Sequence, residues 1–212
     1  MKETTKSSVG WLESLFGLRC PGCGKPLDQA TLCKACESEL VPRHVPNFVY
    51  LGSYQRFGNL GRAIKYRGHR ELATLTGRKL ALGVRQADWV VNGVTAVPTL
   101  FHRQVQRGYN QAELIAQAAA KELKVPYQTV LSRASYSKSQ TRKSLSERLQ
   151  LPEDTFVVKA RVTDVWLLVD DVVTTGTTFA RARTSLLDAG ATKVYGAAIA
   201  VKSPHEISRF SL

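Results

Sequence analysis

Apolar residues in this chain fall into two kinds of run. The first kind is short and continuous: Trp166, Leu167, Leu168 and Val169; the stretch VVNGVTAVP from Val90 to Pro98; and Lys193 to Val201. Such runs predict strands buried on both faces of a parallel sheet. The second kind recurs every three or four positions. Phe179, Ala182, Ser185, Leu186 and Ala189 predict a helix that Gly190 stops. Ile115, Ala118, Ala119 and Leu123 predict another, with Asn110 as its N-cap, Glu113 three positions later, and an end at Val125-Pro126. Leu72, Leu75, Leu80 and Leu82 mark a helix over 71–84, loosened at Gly77, and Leu60, Ala63 and Ile64 a helical region that begins at Gly58 and Asn59. Phe48 to Phe57 reads as one or two short strands, and Tyr127 to Leu131 as another. Strands alternating with helices predict a parallel, doubly wound α/β sheet.

The N-terminal part has a different character. Trp11, Leu12, Leu15, Phe16 and Leu18 share roughly one helical face, a short amphipathic segment expected to pack on a neighbouring module. Cys20, Cys23, Cys33 and Cys36 are the only cysteines, arranged as two Cys-x2-Cys pairs nine residues apart. Two knuckles of this kind bring four thiolates together around Zn²⁺. A segment this small lacks a core, so metal binding would supply its folding free energy. Two disulfides are the alternative, disfavoured in a reducing compartment. With every ligand a Cys, the site is closed and structural. Pro42 and Pro46 then disfavour helix, which suggests a linker. The expected organisation is an N-terminal segment at 1–19, a zinc-ribbon-like module at 20–40, a linker at 41–47 and a main domain at 48–212.

Composition adds charge to this picture. Hydrophobic residues make up 43% of the 212, which excludes a wholly disordered chain. The formal net charge of +13 favours an anionic partner: a phosphorylated metabolite, a nucleic acid or a lipid surface. Arg62, Lys65, Arg67, His69 and Arg70 form one basic cluster. Arg133 to Arg148 (RASYSKSQTRKSLSER) forms another, either a lid that closes over phosphates or a solvated insert. No apolar run approaches the roughly 20 residues that span a bilayer. Met1 to Ser8 is polar and no long apolar run follows it, so a cytoplasmic location is the default expectation.

The strand at Trp166 leads into the most informative stretch, WLLVDDVVTTGTT. Asp170 and Asp171 are expected at the strand's carboxyl end, where ligands bind in open α/β sheets. Thr174, Thr175, Gly176, Thr177 and Thr178 then turn into a helix N-terminus. Free backbone N–H groups, the helix dipole and small hydroxyl side chains there suit a phosphate. An ordinary strand-to-helix turn whose acids cap the helix is the plainer alternative.

This stretch resembles the PRPP (5-phosphoribosyl 1-pyrophosphate) binding motif of type I phosphoribosyltransferases. With the four-Cys module, YLGSYQRFGNLGRAIKYRG, VPTLFHRQVQRGYNQAELIA and SQTRKSLSERL, the chain is more narrowly similar to the ComF/GntX family of amidophosphoribosyltransferase-like competence proteins. The resemblance runs from about Cys20 to Val201. It implies a type I phosphoribosyltransferase (Rossmann-like) fold, with Asp170 and Asp171 on the ribose 2′ and 3′ hydroxyls and Thr174–Thr178 on the 5′-phosphate. It further implies a pyrophosphate loop carrying His102 and Arg103, Mg²⁺ bound with PRPP, and Arg142 or Lys143 reaching in from the basic lid. It implies a role in natural transformation, handling incoming single-stranded DNA in the cytoplasm beside a helicase-like competence ATPase. Thr174 departs from the 6-oxopurine salvage enzymes, which carry an acid/base Asp there, and argues against that chemistry. An active phosphoribosyltransferase of unknown acceptor and a PRPP-sensing regulator are the other functions consistent with the loop.

Overall fold

A computed structural model describes residues 18–27, 31–67, 70–99, 110–133, 156–205 and 207. The first elements are a two-residue antiparallel pair, β1 (Leu18–Arg19) and β2 (Pro26–Leu27), and a short helix, α1 (Lys34–Glu39). They carry the four cysteines. Next come β3 (Arg43–Val45), β4 (Phe48–Ser53), α2 (Tyr54–Arg67), α3 (Arg70–Gln86), β5 (Gly93–Ala96) and α4 (Gln111–Leu123). The chain continues through β6 (Leu131–Arg133), β7 (Phe156–Val158), β8 (Val165–Val173), α5 (Thr177–Asp188) and β9 (Lys193–Val201).

Five strands make the main sheet in the order β3-β4-β9-β8-β5. β4, β9, β8 and β5 are parallel, and β3 closes one edge antiparallel to β4. The stretch read as a linker thus contains an edge strand. β8 pairs with β9 from Val165↔Lys193 to Val173↔Val201 and with β5 from Trp166↔Gly93 to Val169↔Ala96, which places it in the interior of the sheet. Side chains of a strand alternate between faces, and β8 shows the alternation in its packing. Leu167 and Val169 join the core that contains Leu60, Ile64, Leu80 and Ile115 from α2, α3 and α4. Trp166 and Leu168 join the core on the opposite face, with Phe179, Ala182 and Leu186 from α5. The sheet is therefore covered on both faces, the reason its central strands are apolar throughout.

Several boundaries differ from the sequence pattern. The 48–57 region is strand only to Ser53, after which α2 begins at Tyr54, four residues before Gly58. Helix α3 runs unbroken through Gly77. That glycine serves close packing, since a Cβ there would sit 2.6 Å from both Ala118 Cβ and the Ile115 carbonyl of α4. Tyr127 makes only an isolated bridge to Val94, while β6 pairs with β7 outside the main sheet. Arg133, read as the start of the basic loop, is the last residue of β6.

Candidate functional site

The cysteines come together as their spacing predicts. The first pair lies on a turn closed by Cys20 N–H to Lys25 O at 2.8 Å and Gly24 N–H to Cys20 O at 2.7 Å. In the second pair, Cys33 is the N-cap of α1 and its Sγ accepts from Cys36 N–H at 3.5 Å. All four Sγ atoms lie within 4.8 Å of one another, and Cys23 and Cys33 Sγ are 3.6 Å apart. A tetrahedral Zn–S site has sulfurs ~3.8 Å apart, so the donor set fits such an ion. Gly22 is packed beneath it: a Cβ there would come within 2.9 Å of Cys36 Sγ.

The thiols differ in acidity. Burial raises the pKa of the Cys20 thiol, but N–H groups of Cys33, Cys23 and Gly22 outweigh it and bring the thiol down to about 7. Cys36 is pushed up to about 12 by burial and its sulfur neighbours, against the pull of the Arg56 guanidinium. Arg56, on α2, donates to Cys36 Sγ at 3.1 Å, to Gly22 O at 2.6 Å and to both Glu39 carboxylate oxygens at 2.8 and 3.1 Å. One side chain of the main domain thus binds both cysteine knuckles. His44 is no part of the cluster; its ring Nε2 bonds with Gly83 O at 2.9 Å.

The second site is a cavity of about 230 Å³ at the carboxyl ends of β5 and β8. Asp170, Asp171 and the loop Thr174, Thr175, Gly176 and Thr178 form one wall; Val97, Pro98, Thr99, Asn110, Gln111 and Arg133 form the other. Thr177 is exposed beside it, its hydroxyl 3.2 Å from that of Thr175. Gly176 has φ +76°, a left-handed conformation that glycine adopts without strain, and it is the N-cap of α5. Gly176 has no side chain to cap that helix, and the Thr177 N–H donates to Thr175 Oγ1 at a long 3.5 Å.

The acid pair lies within β8, because the strand continues to Val173. Sequence reading put the pair at the strand's end. Extension by Val172 and Val173 pairs those residues with Ala200 and Val201 of β9. Being adjacent on a strand, the two acids leave the backbone toward opposite faces of the sheet, yet both line the cavity at the strand's carboxyl end. Asp171 lies against α2, where a Cβ on Gly61 would meet Asp171 Oδ2 at 3.1 Å. Asp170 faces the charge of Arg133. Burial, then the charge of Asp171 and a hydrogen bond with it, raise the Asp170 carboxyl well above its ordinary value. The Asp171 N–H, 2.8 Å from Asp170 Oδ1, and Arg133 act the other way. Two crowded carboxylates of this kind gain from hydroxyl donors or a cation.

The expected pyrophosphate-loop residues His102 and Arg103, and the lid residues Arg142 and Lys143, lie outside the described residues. The same is true of the N-terminal amphipathic stretch up to Gly17. Sequence reasoning missed Gly61, Gln111, Arg133 and Arg56 as site residues. Gln111 carried a signal through its place in RGYNQAELIA, and Arg56 and Gly61 through theirs in YLGSYQRFGNLGRAIKYRG. Asn110 also needs correction. It occupies the N-cap position of α4, but its side chain makes no cap bond and its Nδ2 donates to Val97 O at 3.1 Å. That bond fixes the helix to the end of β5.

No family model matches the chain. Among characterised proteins, competence protein F of Haemophilus influenzae is 28% identical over 182 residues, 75% of this chain and 80% of that protein. The DNA utilization protein YhgH of Salmonella typhi and that of Salmonella typhimurium are each 28% identical over 184 residues, 82% of this chain and 80% of theirs. Among solved structures, a glutamine PRPP amidotransferase from B. subtilis complexed with ADP and GMP aligns with a TM-score of 0.42 and 22% identity over 62% of this chain. The chain spans about a quarter of that enzyme's length, 26%. An adenine phosphoribosyltransferase aligns with a TM-score of 0.43 and 15% identity, over 84% of this chain and 95% of that one. Over most of its own length and about four-fifths of theirs, the chain is thus similar in sequence to competence protein F and the YhgH proteins, and its clustered cysteines and parallel sheet with the acid-pair loop are the structural features that accompany that likeness.

Proposed function

We propose that this chain is a PRPP-binding, zinc-stapled protein that assists the handling of single-stranded DNA in natural transformation. The observation that carries the ligand is the shared cavity of Asp170, Asp171 and the Thr174–Thr178 turn at a helix N-terminus whose N-cap is a glycine. A ribose diol donates its hydroxyls to the two carboxylates, and the 5′-phosphate accepts from the N–H groups and hydroxyls of the turn. Mg²⁺ bound with PRPP offsets the charge of its pyrophosphate, and a Zn²⁺ ion held by Cys20, Cys23, Cys33 and Cys36 folds the module.

The deciding experiment is a calorimetric titration of wild type and Asp171→Ala with PRPP and Mg²⁺. Losing a carboxylate that accepts from the diol is expected to weaken binding about 100-fold, the equivalent of roughly two hydrogen bonds to a charged group. Equal affinity for both proteins removes the assignment.

The DNA role draws on the relatives' names and on the net charge of +13. Arg19 and Arg62 also line an open cavity between the first cysteine knuckle and α2. Single-stranded DNA binding that falls steeply with salt in a mobility-shift titration is the expected result; absence of binding at low salt removes this part. A cytoplasmic location beside a helicase-like competence ATPase belongs to the same reading. Pyrophosphate release from PRPP with one member of a base or amine panel would make the protein an active phosphoribosyltransferase instead.

A further inference from the structure

We propose that Gln111 is a ligand-contacting residue, whose side-chain amide donates to the anionic group at the end of the ligand remote from the Thr174–Thr178 turn. This rests on the phosphoribosyl reading above and extends it to the opposite wall of the cavity. Gln111 is 4% exposed and lines the cavity, yet its Nε2 is buried without a hydrogen-bond partner. Folded proteins leave few buried amides unsatisfied, because the group has given up water and received nothing in return. Its neighbour makes the contrast plain: Asn110, 7% exposed, spends its Nδ2 on Val97 O. One amide of this turn is structural and the next is open. Thr95 Oγ1 is also buried and unpartnered, but it lies within β5 and does not line the cavity.

The placement identifies what the open amide meets. With the 5′-phosphate on the turn and the diol on Asp170 and Asp171, the third part of a PRPP-like ligand faces Val97, Pro98, Thr99, Gln111 and Arg133. Arg133 brings positive charge to that wall: its Nε donates to Pro98 O at 2.8 Å, its guanidinium lies 5.2 Å from the Phe156 ring centroid, and its charge is felt by Asp170. Gln111 is also the first residue of the thirteen-residue α4, at the positive end of its dipole. A neutral N–H donor between a cation and a helix N-terminus suits the oxygens of a pyrophosphate carried on the ribose.

The test uses the full-length, metal-loaded protein and two compounds, PRPP and ribose 5-phosphate, each titrated calorimetrically with Mg²⁺ into wild type, Gln111→Leu, Gln111→Met and Gln111→Glu. Gln111→Leu and Gln111→Met are expected to bind PRPP about tenfold more weakly, the effect of one hydrogen bond to a charged acceptor, and ribose 5-phosphate within about twofold of wild type. Gln111→Glu should lose more, since it faces the pyrophosphate with a second negative charge. Ligand-free Gln111→Leu should melt no lower than wild type, because the unsatisfied amide is gone. The proposal is overturned if the apolar variants bind PRPP as wild type does, or lose both compounds equally. Wild type that binds neither compound ends the phosphoribosyl reading and this proposal together; wild-type binding with no change in the apolar variants ends this proposal alone.

Discussion

The cysteine module and the phosphate-facing cavity are built in opposite ways. All four sulfurs of the module come from one short stretch, and its buried residues, Cys20, Leu32, Cys36 and Leu40 among those described, join the core that α2 and α3 pack on the sheet. The cavity gathers side chains from β6, β8, α4 and α5 and from the end of β5, with Gly61 of α2 against one of its acids. Its walls are set by a sheet with cores on both faces. The module's four thiols suit a metal ion that would supply folding free energy, whereas the cavity's walls belong to elements already packed on the sheet. The two regions meet at Arg56, which binds Cys36 Sγ, Gly22 O and Glu39 from the first turn of α2.

The sharpest way to break the comparison is to remove the metal. Structural zinc contributes on the order of 10–16 kcal/mol to small modules, so chelation or Cys36→Ser should unfold α1 and the β1–β2 pair. Hydrogen exchange is expected to rise there while β8 and β9 keep their protection. Equal loss in both regions would mean that they are one folding unit.

Next in size is Arg56→Ala. It removes three contacts to the module at once, and loss of such an outer-shell partner of a metal ligand typically weakens metal binding about 10–100-fold. Competition with a chromophoric chelator measures this. The Arg56–Glu39 ion pair alone is too exposed to account for it, at 33% and 50% side-chain exposure, since such pairs contribute about 1 kcal/mol or less. Arg56→Lys restores a charge but not the fork, and should recover only part of the affinity.

Gly61→Ala tests the cavity from behind. Its methyl group meets Asp171 Oδ2 at 3.1 Å, so the carboxylate must shift by a few tenths of an ångström. The expected result is PRPP affinity about tenfold lower, by analogy with the steep cost of small misplacements in pre-organised sites, with metal affinity unchanged. An unaltered calorimetric titration would show that Asp171 has room to move.

The smallest effect is on stability. Because the folded-state carboxyl of Asp170 is raised, its favourable contribution is present below the unfolded value of about 3.9 and is lost as pH rises through the folded value. Ionisation of the group therefore destabilises the ligand-free protein. Asp170→Asn should raise the ligand-free melting temperature by a few degrees, roughly 1 kcal/mol, while weakening PRPP binding. The gain should disappear at pH 3, and a gain that does not respond to pH would contradict the raised carboxyl of Asp170.

Legibility in the sequence followed sequence distance. The cysteine spacing, the loop 174–178 and the strand at 193–201 were readable because each is a local pattern: knuckles, a glycine turn and a run of apolar residues. The cap at Asn110 was misread because the same amide can serve its own helix or a carbonyl thirteen residues earlier in the chain, and only packing against β5 decides between them. Gly77 was misread for a similar reason. Helix propensity says that glycine loosens a helix, whereas its Cα is where α4 comes closest.

By itself, then, the sequence determined the chemistry available: four thiols, two adjacent carboxylates, a hydroxyl-rich turn and a parallel α/β order of elements. Tertiary structure decided which groups those meet. Arg56 reaches Gly22 across 34 positions of sequence, Gly61 lies against Asp171, and Gln111 and Arg133 form the wall opposite the phosphate turn. No periodicity encodes such pairs, because they depend on how the helices settle on the two faces of the sheet and on which side of β8 each acid emerges.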